Sequence, residues 1–426
     1  MGAASHLQSE HHADTMCFKT WNDLIISLPN KTVNWCCKTE LTEDQRAEVT
    51  FDLDILEAKG LDFLLNHPTL QKRKYELSNG IQSADCSGCW KSEEASGTST
   101  RTEHIRKNNP LFNKKLDLSS DLFQFVELEL TNKCNMACAY CWEGQSSRWQ
   151  KETGRRFPDT EDAIFEKVLQ LLNEWWNSTL KHKDFITFSL LGGEPFFTNH
   201  MYQFIEEFIV NINDTITDGQ EVVLVVTTNL NFPKHKYDKF IELVKRTPNI
   251  RYEMQLSGEA LGKRSELIRW GLDFDKWNQN VDSFFKQSKE TKNLILGFGC
   301  AHNSLSLPYF KDFLIYLNEK INKFDYDKEI IMHHNRVQDP LWLSVLGLDP
   351  SHTNTIQEQI DYFIDMSGTF DDKQGYISVL RDMKSMVSGK VSTEAKQLAK
   401  KQFEILEKRR KISFSDHFPH YHELIE

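Results

Sequence analysis

The amino-acid sequence predicts an α/β fold in which parallel strands form part of a (β/α)6 barrel. From about residue 119 to residue 345, short apolar segments rich in β-branched residues alternate with segments whose apolar residues recur at helical spacing. Such alternation is typical of parallel strands joined by covering helices. Cysteines concentrate before this region and helical periodicity follows it, which predicts a small cysteine-rich N-terminal module and a helical C-terminal tail.

The predicted elements of the central region follow one another in a regular order. The strands are FQFVELEL (123–130), FITFSLLGG (185–193), EVVLVVTTN (221–229), IRYEMQLSG (250–258), LILGFGCAHN (294–303) and EIIMHHNRV (329–337). The intervening helices are EDAIFEKVLQLLNEWWN (161–177), MYQFIEEFIVNI (201–212), KYDKFIELVKR (236–246), WNQNVDSFFKQS (277–288) and LPYFKDFLIYLNEKI (307–321). In the tail, helical periodicity is clearest in STEAKQLAKKQFEILEKRRK (392–411).

These patterns divide the chain into three regions. Residues 1–118 are expected to form the cysteine-rich module and a linker, residues 119–345 the partial barrel, and residues 346–426 the helical extension. The segment KSEEASGTSTRTEHIRKN (91–108) is polar and rich in small residues, as linkers and ordered loops are.

Composition excludes several classes of partner. The chain has 426 residues, of which 39% are hydrophobic and 27% charged, and its formal net charge is −11. An acidic chain is not expected to bind nucleic acid or an anionic membrane in bulk. The polar start, MGAASHLQSEHHADT, lacks the apolar stretch of a secretory signal. Nine cysteines without such a signal indicate a reducing compartment, so we expect a cytoplasmic protein.

The segment TNKCNMACAYCW (131–142) places three cysteines in one loop after the first predicted strand of the central region. Cys134, Cys138 and Cys141 have the spacing Cys-x3-Cys-x2-Cys. Zinc sites usually pair cysteines and add a second pair or histidines. Three thiolates suit a 4Fe–4S cluster that keeps one iron open. Spacing alone leaves zinc, core thiols and a cluster as alternatives.

A glycine turn ends the second strand of the central region. In Gly192-Gly193-Glu194-Pro195, the glycines allow a ligand to approach the backbone, and the carboxylate or nearby carbonyls can accept hydrogen bonds from an ammonium group. Taken alone, this pattern is an ordinary turn. Its position one strand–helix unit after the cysteine loop favours a binding role.

Taken together, these motifs resemble the radical S-adenosylmethionine (radical SAM) enzymes, whose signature is Cys-x3-Cys-x-aromatic-Cys. Cys134, Cys138, Tyr140 and Cys141 match it, and the flanking residues resemble the branch that modifies peptides and proteins. The resemblance covers about residues 120–345 and implies a partial TIM-type barrel. It implies that the three cysteines bind a 4Fe–4S cluster, and that the glycine turn contacts the SAM amino group.

Further SAM contacts are carried over from the family at matching positions. TTN (227–229) resembles the family's TTNG, although Leu230 replaces the glycine, and ELIRWG (266–271) resembles its EYIRYG segment. For Thr228, Ser257 and Asn303, strand-end capping is the structural alternative. The residues that the resemblance assigns to SAM are Tyr140, Gly192, Gly193, Glu194, Pro195, Thr228, Ser257, Arg269 and Asn303.

The resemblance also implies the chemistry. One electron from the reduced cluster would cleave SAM to methionine and a 5′-deoxyadenosyl radical, which would take a hydrogen atom from the substrate. A flavodoxin- or ferredoxin-type protein would supply the electron. The substrate is expected to be a peptide or protein side chain, with a small molecule or nucleoside as the alternative. A non-catalytic iron–sulfur or zinc protein is the alternative from another class.

The N-terminal cysteines resemble the twitch or SPASM type of auxiliary-cluster module. CFKTW (17–21) matches its opening, with Thr20 in the usual proline position, VNWCCKT (33–39) matches the hairpin that ends in two cysteines, and DCSGCW (85–90) supplies the last pair. The resemblance implies a second 4Fe–4S cluster on Cys17, Cys86, Cys89 and one of Cys36 and Cys37. Neighbouring strand residues point to opposite faces, so only one of those two reaches the same metal. A four-cysteine zinc site is the alternative.

Residues that act on the substrate are predicted only weakly. Cys300 on the fifth strand is a candidate hydrogen donor or a small core residue. His333 and His334 end the sixth strand and are candidate acids or bases, with a structural role as the alternative. Glu127 and Glu129 share a strand face, so either, and Glu129 in particular, is a candidate for binding a cationic substrate group. Three histidines near the end, His417, His420 and His422, favour a solvated tail over a metal site.

Overall fold

The computed structural model describes residues 15–36, 51–96, 99, 101–102 and 124–426. They form two compact units. The first unit takes its described residues from Met1–Asn132, Pro158–Val225 and Arg246–Arg251. The second unit comprises Lys133–Phe157, Val226–Lys245 and Tyr252–Glu426.

Twelve strands occur in the described residues. They are β1 (Asp23–Ser27), β2 (Thr32–Asn34), β3 (Phe51–Asp52), β4 (Phe125–Glu129), β5 (Ala137–Cys138), β6 (Phe185–Leu191), β7 (Glu221–Thr228), β8 (Ile250–Ser257), β9 (Arg269–Trp270), β10 (Leu294–His302), β11 (Glu329–Arg336) and β12 (Thr369–Phe370). All six strands predicted for the central region are present, as β4, β6, β7, β8, β10 and β11.

The α-helices of the described residues alternate with these strands and then form the tail. They are α1 (Phe18–Asn22), α2 (Leu53–Leu65), α3 (Pro68–Ser78), α4 (Ser87–Ser96), α5 (Ser147–Thr153), α6 (Asp162–Ser178), α7 (His200–Phe204), α8 (Val210–Asn213), α9 (Lys234–Arg246), α10 (Gly262–Ile268), α11 (Phe274–Glu290), α12 (Phe310–Phe324), α13 (His352–Asp365), α14 (Lys373–Val387), α15 (Thr393–Arg410) and α16 (Tyr421–Ile425). A π-helical segment, Ile205–Ile209, joins α7 to α8.

In the first unit, the N-terminal hairpin extends the sheet of the central region. Strand β1 pairs antiparallel with β2, and β2 with β3. On its other side β1 pairs parallel with β4, which pairs parallel with β6. The residues of β1 are all buried, as expected for a strand with neighbours on both sides.

In the second unit, the sheet is parallel at each described pairing. Strand β10 pairs with β8 and with β11, and β11 pairs with β12. A separate antiparallel pair joins β5 to β9. The strand order ends at β3 in the first unit and at β12 in the second, so the described sheet is open. The predicted α/β class with parallel strands is confirmed, while the partial barrel stays a prediction, as does the division into three regions.

Helix α11 illustrates how periodic segments become covering helices. The Asp273 side chain accepts a hydrogen bond from the Lys276 N–H at 3.0 Å and so caps the first turn. Trp277, Phe284 and Phe285 recur at helical spacing and are buried. Each such side chain contributes roughly 1.5–3 kcal/mol by burial, so packing on the sheet holds the helix in place. No helix among the described residues is long and apolar enough to cross a bilayer.

Candidate functional site

The three-cysteine loop lies at the start of the second unit and is anchored by backbone pairing. Strand β5 pairs antiparallel with β9, which places Cys138 opposite Arg269. The N–H of Ala139 donates to the carbonyl of Ile268 at 2.7 Å. The cysteine loop and the ELIRWG segment, far apart in sequence, are therefore hydrogen-bonded neighbours.

Hydrogen bonds reach the sulfur of the first cysteine. The Met136 N–H lies 3.4 Å from Cys134 Sγ, and the side-chain amide of Asn229 lies 3.7 Å from the same sulfur. Asn229 is the last residue of the TTN segment, so this segment also joins the loop. Ser147 Oγ accepts from the Cys134 N–H and donates to the Cys134 carbonyl, which fixes the backbone there.

Burial has the largest effect on the pKa values of the cysteines in this loop. It raises the pKa of the Cys138 thiol, although Arg269 opposes the shift. Burial and then the neighbouring Cys138 raise the pKa of Cys141 to about 12. Cysteine binds metals as the thiolate. The raised pKa values mean that ionising these buried thiols is unfavourable, so a bound cation must offset that cost. Three thiols in one loop, with N–H groups directed at a sulfur, are a donor set that fits an iron–sulfur cluster.

A buried ion pair lies beside the loop. Arg269 is 5% exposed and Glu259 is fully buried. Arg269 Nε lies 3.1 Å from each Glu259 carboxylate oxygen, and Nη2 lies 2.5 Å from Oε2. Burial alone would lower the pKa of the Arg269 guanidinium, but Glu259 outweighs it and the pKa rises. Arg269 therefore stays charged in a buried site.

The aromatic residue of the cysteine motif joins the same pair. The Tyr140 hydroxyl donates to Glu259 Oε1 at 3.3 Å, and the Arg269 guanidinium lies 5.6 Å from the Tyr140 ring centre. Burial raises the pKa of Tyr140, so its hydroxyl keeps its proton. Sequence reasoning missed Glu259. Its signal is the tripeptide Ser257-Gly258-Glu259, in which an acid follows the end of β8 directly.

Two other residues assigned to SAM from sequence have capping contacts. Thr228 Oγ1 accepts from the Leu230 N–H at 3.1 Å. Asn303 Oδ1 accepts from the N–H groups of Leu305 and Ser306, at 3.0 and 3.1 Å. These contacts match the structural alternative of strand-end capping. Their assignment to SAM stays a prediction, as does that of Ser257, which ends β8 and whose carbonyl accepts from Trp277 Nε1 at 3.0 Å.

The glycine turn lies in the first unit and packs on the backbone that precedes the cysteine loop. The Gly193 N–H donates to the Thr131 carbonyl at 2.7 Å. Gly192 has φ +92°, and a Cβ there would come within 2.4 Å of the same carbonyl oxygen, so only glycine fits. The buried Glu194 side chain accepts from the Phe196 N–H at 3.1 Å, ahead of a short 3₁₀ turn, Pro195–Phe197.

The N-terminal cysteines gather in the first unit. Cys17 precedes α1 and Cys36 follows β2, while Cys86 ends a 3₁₀ turn just before α4 and Cys89 lies in the first turn of α4. Burial, then the neighbouring Cys36, raises the pKa of Cys17 to about 12. Burial also raises the pKa values of Cys86 and Cys89, and nearby cysteines add to both shifts. The thiols are thus close enough to influence one another, while Cys37 lies outside the described residues.

The candidate bases of the sixth strand point to opposite faces of the second unit's sheet. His333 lies opposite Gly299 in the register of β10 and β11, and Gly299 lies opposite Ser257 of β8. A Cβ on Gly299 would meet no atom within 4 Å, so the sheet has a hollow there. His334 lies on the other face, where its ring contacts Phe363 and Tyr376 of the covering helices.

His333 reaches a polar cluster on β8. Its Nε2 lies 2.9 Å from Glu253 Oε1 and 2.9 Å from Gln255 Nε2. The same nitrogen can donate a proton to the carboxylate or accept one from the amide, depending on the tautomer. Thr227 Oγ1 donates to Gln255 Oε1 at 3.1 Å and extends the cluster. An imidazole held by a carboxylate beside open space is suited to moving a proton.

The other substrate-site candidates from the sequence are Cys300, Glu127 and Glu129. Cys300 is fully buried and lies opposite His334, on the face that packs against helices, which argues against a role as hydrogen donor. Glu127 and Glu129 share one face of β4 in the first unit. Burial raises the pKa of Glu127 to about 7, with Lys19 opposing the shift. Glu127 therefore holds a proton for part of the time near neutral pH.

The C-terminal histidines differ from the expected solvated tail. His420 is buried: its Nε2 donates to the Ser304 carbonyl at 2.8 Å, and its Nδ1 accepts from the Tyr309 hydroxyl at 3.1 Å. The prediction of a solvated tail is wrong at this residue, because the tail packs on the turn after β10.

No protein-family model and no curated protein matches this sequence. Solved structures similar to this chain include His6-tagged anSMEcpe with bound AdoMet, at 17% identity over 58% of this chain and 62% of that one, with a TM-score of 0.38. Native anSMEcpe with bound AdoMet matches at 17% identity and a TM-score of 0.38, over 57% of this chain and 60% of that one. Native anSMEcpe with bound AdoMet and Cp18Cys peptide matches at 17% identity and a TM-score of 0.36, over 57% and 59%. The chain thus spans less than two thirds of those proteins.

Proposed function

We propose that this protein is a radical SAM enzyme built on a partial barrel. One observation carries the proposal: three motifs distant in sequence meet in the second unit. Cys138 pairs with Arg269 of the ELIRWG segment, Cys134 Sγ accepts from Asn229 of the TTN segment, and Tyr140 donates to Glu259 after β8. An isolated zinc loop or scattered core thiols would not require these partners.

Cys134, Cys138 and Cys141 would hold a 4Fe–4S cluster with one iron open to SAM. Such a cluster, when reduced, supplies the electron that releases a 5′-deoxyadenosyl radical from SAM. The chain's own residues orient and shield this site. The Asn229 amide and the Met136 N–H stabilise the Cys134 sulfur, and the pair of Arg269 and Glu259 holds Tyr140.

We also propose an auxiliary 4Fe–4S cluster on Cys17, Cys36, Cys86 and Cys89. The support is that these four thiols influence one another in a partly buried site at the end of a hairpin. Four thiolates close the coordination of a cubane, which suits electron transfer or fold stability. A flavodoxin- or ferredoxin-type reductant and a cytoplasmic location complete the proposal, since free cysteines are typical of a reducing compartment.

The proposed substrate is a peptide or protein side chain. The support is the sequence around the cysteine motif, and the alternative is a small molecule or nucleoside. His333, held by Glu253 beside the hollow at Gly299, is the best-placed residue to move a substrate proton. A non-catalytic electron carrier is the competing class, but it has no use for a buried arginine–glutamate pair beside its cluster.

Anaerobic reconstitution tests the proposal. Protein loaded with iron and sulfide, reduced with dithionite and given SAM is expected to release 5′-deoxyadenosine, measured by liquid chromatography and mass spectrometry. The Cys134→Ala variant is expected to lose this product because the cluster loses a ligand. A matched control, Ser178→Ala at the exposed end of α6, is expected to behave as the wild type.

Two outcomes would reject the enzyme proposal. One is a fully loaded wild type that forms no 5′-deoxyadenosine. The other is a Cys134→Ala variant that forms it at the wild-type rate. A product that appears only with added peptide would favour the peptide substrate over the small molecule.

A further inference from the structure

We propose that Cys300, His302 and His334 form a zinc site in the second unit, separate from both groups of cluster-binding cysteines. The site lies between strands β10 and β11 and the helices that cover them. It goes beyond the proposed function and does not depend on SAM cleavage.

The three residues converge because of strand geometry. Cys300 and His302 are two residues apart on β10, so their side chains share a face. His334 lies opposite Cys300 in the parallel register of β11. One ligand atom from each residue can be chosen so that all three atoms lie within 4.8 Å of one another. A thiol and two imidazoles are the donor types that zinc prefers.

The two imidazoles are hydrogen-bonded to each other in the metal-free arrangement and would have to move apart slightly to bind a cation. His302 Nε2 lies 2.6 Å from His334 Nδ1, and the ring centres are 4.9 Å apart with the planes within 16° of parallel. Zinc–nitrogen bonds of 2.0–2.1 Å in a tetrahedral site place two nitrogens about 3.3 Å apart. The rings would therefore need to separate by less than an ångström. Water commonly takes the fourth position when a protein supplies three ligands.

The metal-free arrangement leaves a polar group without a partner. Cys300 and His302 are fully buried, and His334 is 5% exposed. Among the described residues, His302 Nδ1 has no hydrogen-bond partner. Its ring packs edge-on against Phe310, which offers no acceptor. Buried polar nitrogens are normally paired, so the metal-free arrangement does not satisfy His302: a cation bound at Nδ1 would pair this nitrogen, while one bound at Nε2 would replace the close contact with His334.

Aromatic side chains of the covering helices surround the site. His334 contacts Phe310, Phe363 and Tyr376, which come from α12, α13 and α14. A cation held by β10 and β11 beneath these helices would link the sheet to its covering layer. The three ligands lie on the face opposite His333, so the cation does not compete with the proton-moving group.

The metal content of the full-length protein tests the site. Protein grown with zinc, reconstituted anaerobically with iron and sulfide and briefly treated with a chelator is expected to retain about one zinc per chain by inductively coupled plasma mass spectrometry. Cys300→Ser and His334→Gln are each expected to reduce zinc at least tenfold and leave iron unchanged. Cys134→Ser is expected to do the opposite, losing about half of its iron and keeping its zinc.

Phe310→Leu is the control for damage to the core, because it removes packing beside the site without removing a ligand. It is expected to keep its zinc. X-ray absorption at the zinc edge of the wild type needs no variant and is expected to show one sulfur ligand and three nitrogen or oxygen ligands. A wild type without zinc, zinc retained by Cys300→Ser and His334→Gln, or a four-sulfur spectrum would each overturn the proposal.

Discussion

Cys138 and Arg269 face each other across a two-residue antiparallel pairing, while the Arg269 side chain turns to the buried carboxylate of Glu259. The backbone of one arginine thus positions the middle cysteine of the motif, and its side chain forms an ion pair. Loss of Glu259 would leave the Arg269 charge buried and unpaired.

We therefore predict that Glu259→Ala lowers the free energy of unfolding by about 3–5 kcal/mol, the usual cost of breaking a buried ion pair from one side. Urea denaturation followed by tryptophan fluorescence measures the change. Asp238→Ala removes an exposed partner of Lys234 on α9 and is expected to have no measurable effect. A small change in Glu259→Ala would mean that Arg269 finds another partner.

Asn229→Ala tests the hydrogen bond to the Cys134 sulfur. Residues that orient metal ligands typically contribute about 10–100-fold to affinity or activity, and we expect a loss of 5′-deoxyadenosine formation in that range. Iron content is expected to stay close to that of the wild type, because all three cysteines remain. Asn173→Ala on α6, whose amide donates only to a helix carbonyl, is the matched control. An unchanged rate in Asn229→Ala would contradict a role for this contact.

Two glycines on β10 predict different effects of the same substitution. Gly299→Ala adds a Cβ that meets nothing within 4 Å, so it is expected to stabilise the fold by about 0.5–1 kcal/mol through lower backbone entropy in the unfolded chain. Gly297→Ala places its Cβ 3.1 Å from the Ile331 carbonyl oxygen and is expected to be less stable than Gly299→Ala. Thermal unfolding of the pair distinguishes them. Equal shifts would show that the sheet is not open at Gly299.

We predict that the buried His420 makes the free energy of unfolding sensitive to acid. Burial lowers its pKa from 6.5 to about 4. Below pH 6.5 the unfolded chain takes up a proton that the folded chain refuses, so stability falls as pH drops from 6.5 to 4 and is unaffected by this group above that range. The loss reaches about 3 kcal/mol. Urea denaturation across this range is expected to show a shallower pH dependence in His420→Gln, and identical slopes would contradict the assignment.

The proposed auxiliary cluster predicts that replacing one of its ligands lowers the iron content. Two 4Fe–4S clusters contain about eight irons per chain. Cys36→Ser is expected to reduce this to about four, because Cys36 lies among Cys17, Cys86 and Cys89. Cys37→Ser is expected to retain about eight, because Cys36 supplies the fourth thiol of the proposed site. Four irons in the wild type would contradict a second iron–sulfur cluster.

Local patterns predicted the strands and helices well because each rests on its own periodicity. Strand β7, for example, was expected at residues 221–229 and occurs at Glu221–Thr228. The resemblance of the N-terminal cysteine segments to an auxiliary-cluster module implied a hairpin before the paired cysteines, and β1 and β2 form a hairpin before Cys36. These elements depend on residues a few positions apart, which a single sequence contains.

Pairings between distant segments could not be predicted in the same way. Nothing in the local pattern of Glu259 marks it as the partner of Arg269, because the contact depends on how two loops meet. The burial of His420 depends likewise on the turn after β10. The cluster of Cys300, His302 and His334 appears only when β11 is set in register beside β10.

The parallel pairing of β1 with β4 gives the N-terminal region a second role. Five residues of β1 satisfy the backbone of β4 along one edge. A shortened chain that began at residue 119 would uncover this edge, and an unprotected edge invites pairing with other chains. By covering the edge of β4, strand β1 therefore protects the protein from self-association. Strand β1 is synthesised about a hundred residues before β4, so the two strands can pair only after the later segment has been made. Pairing between segments so distant in sequence slows folding.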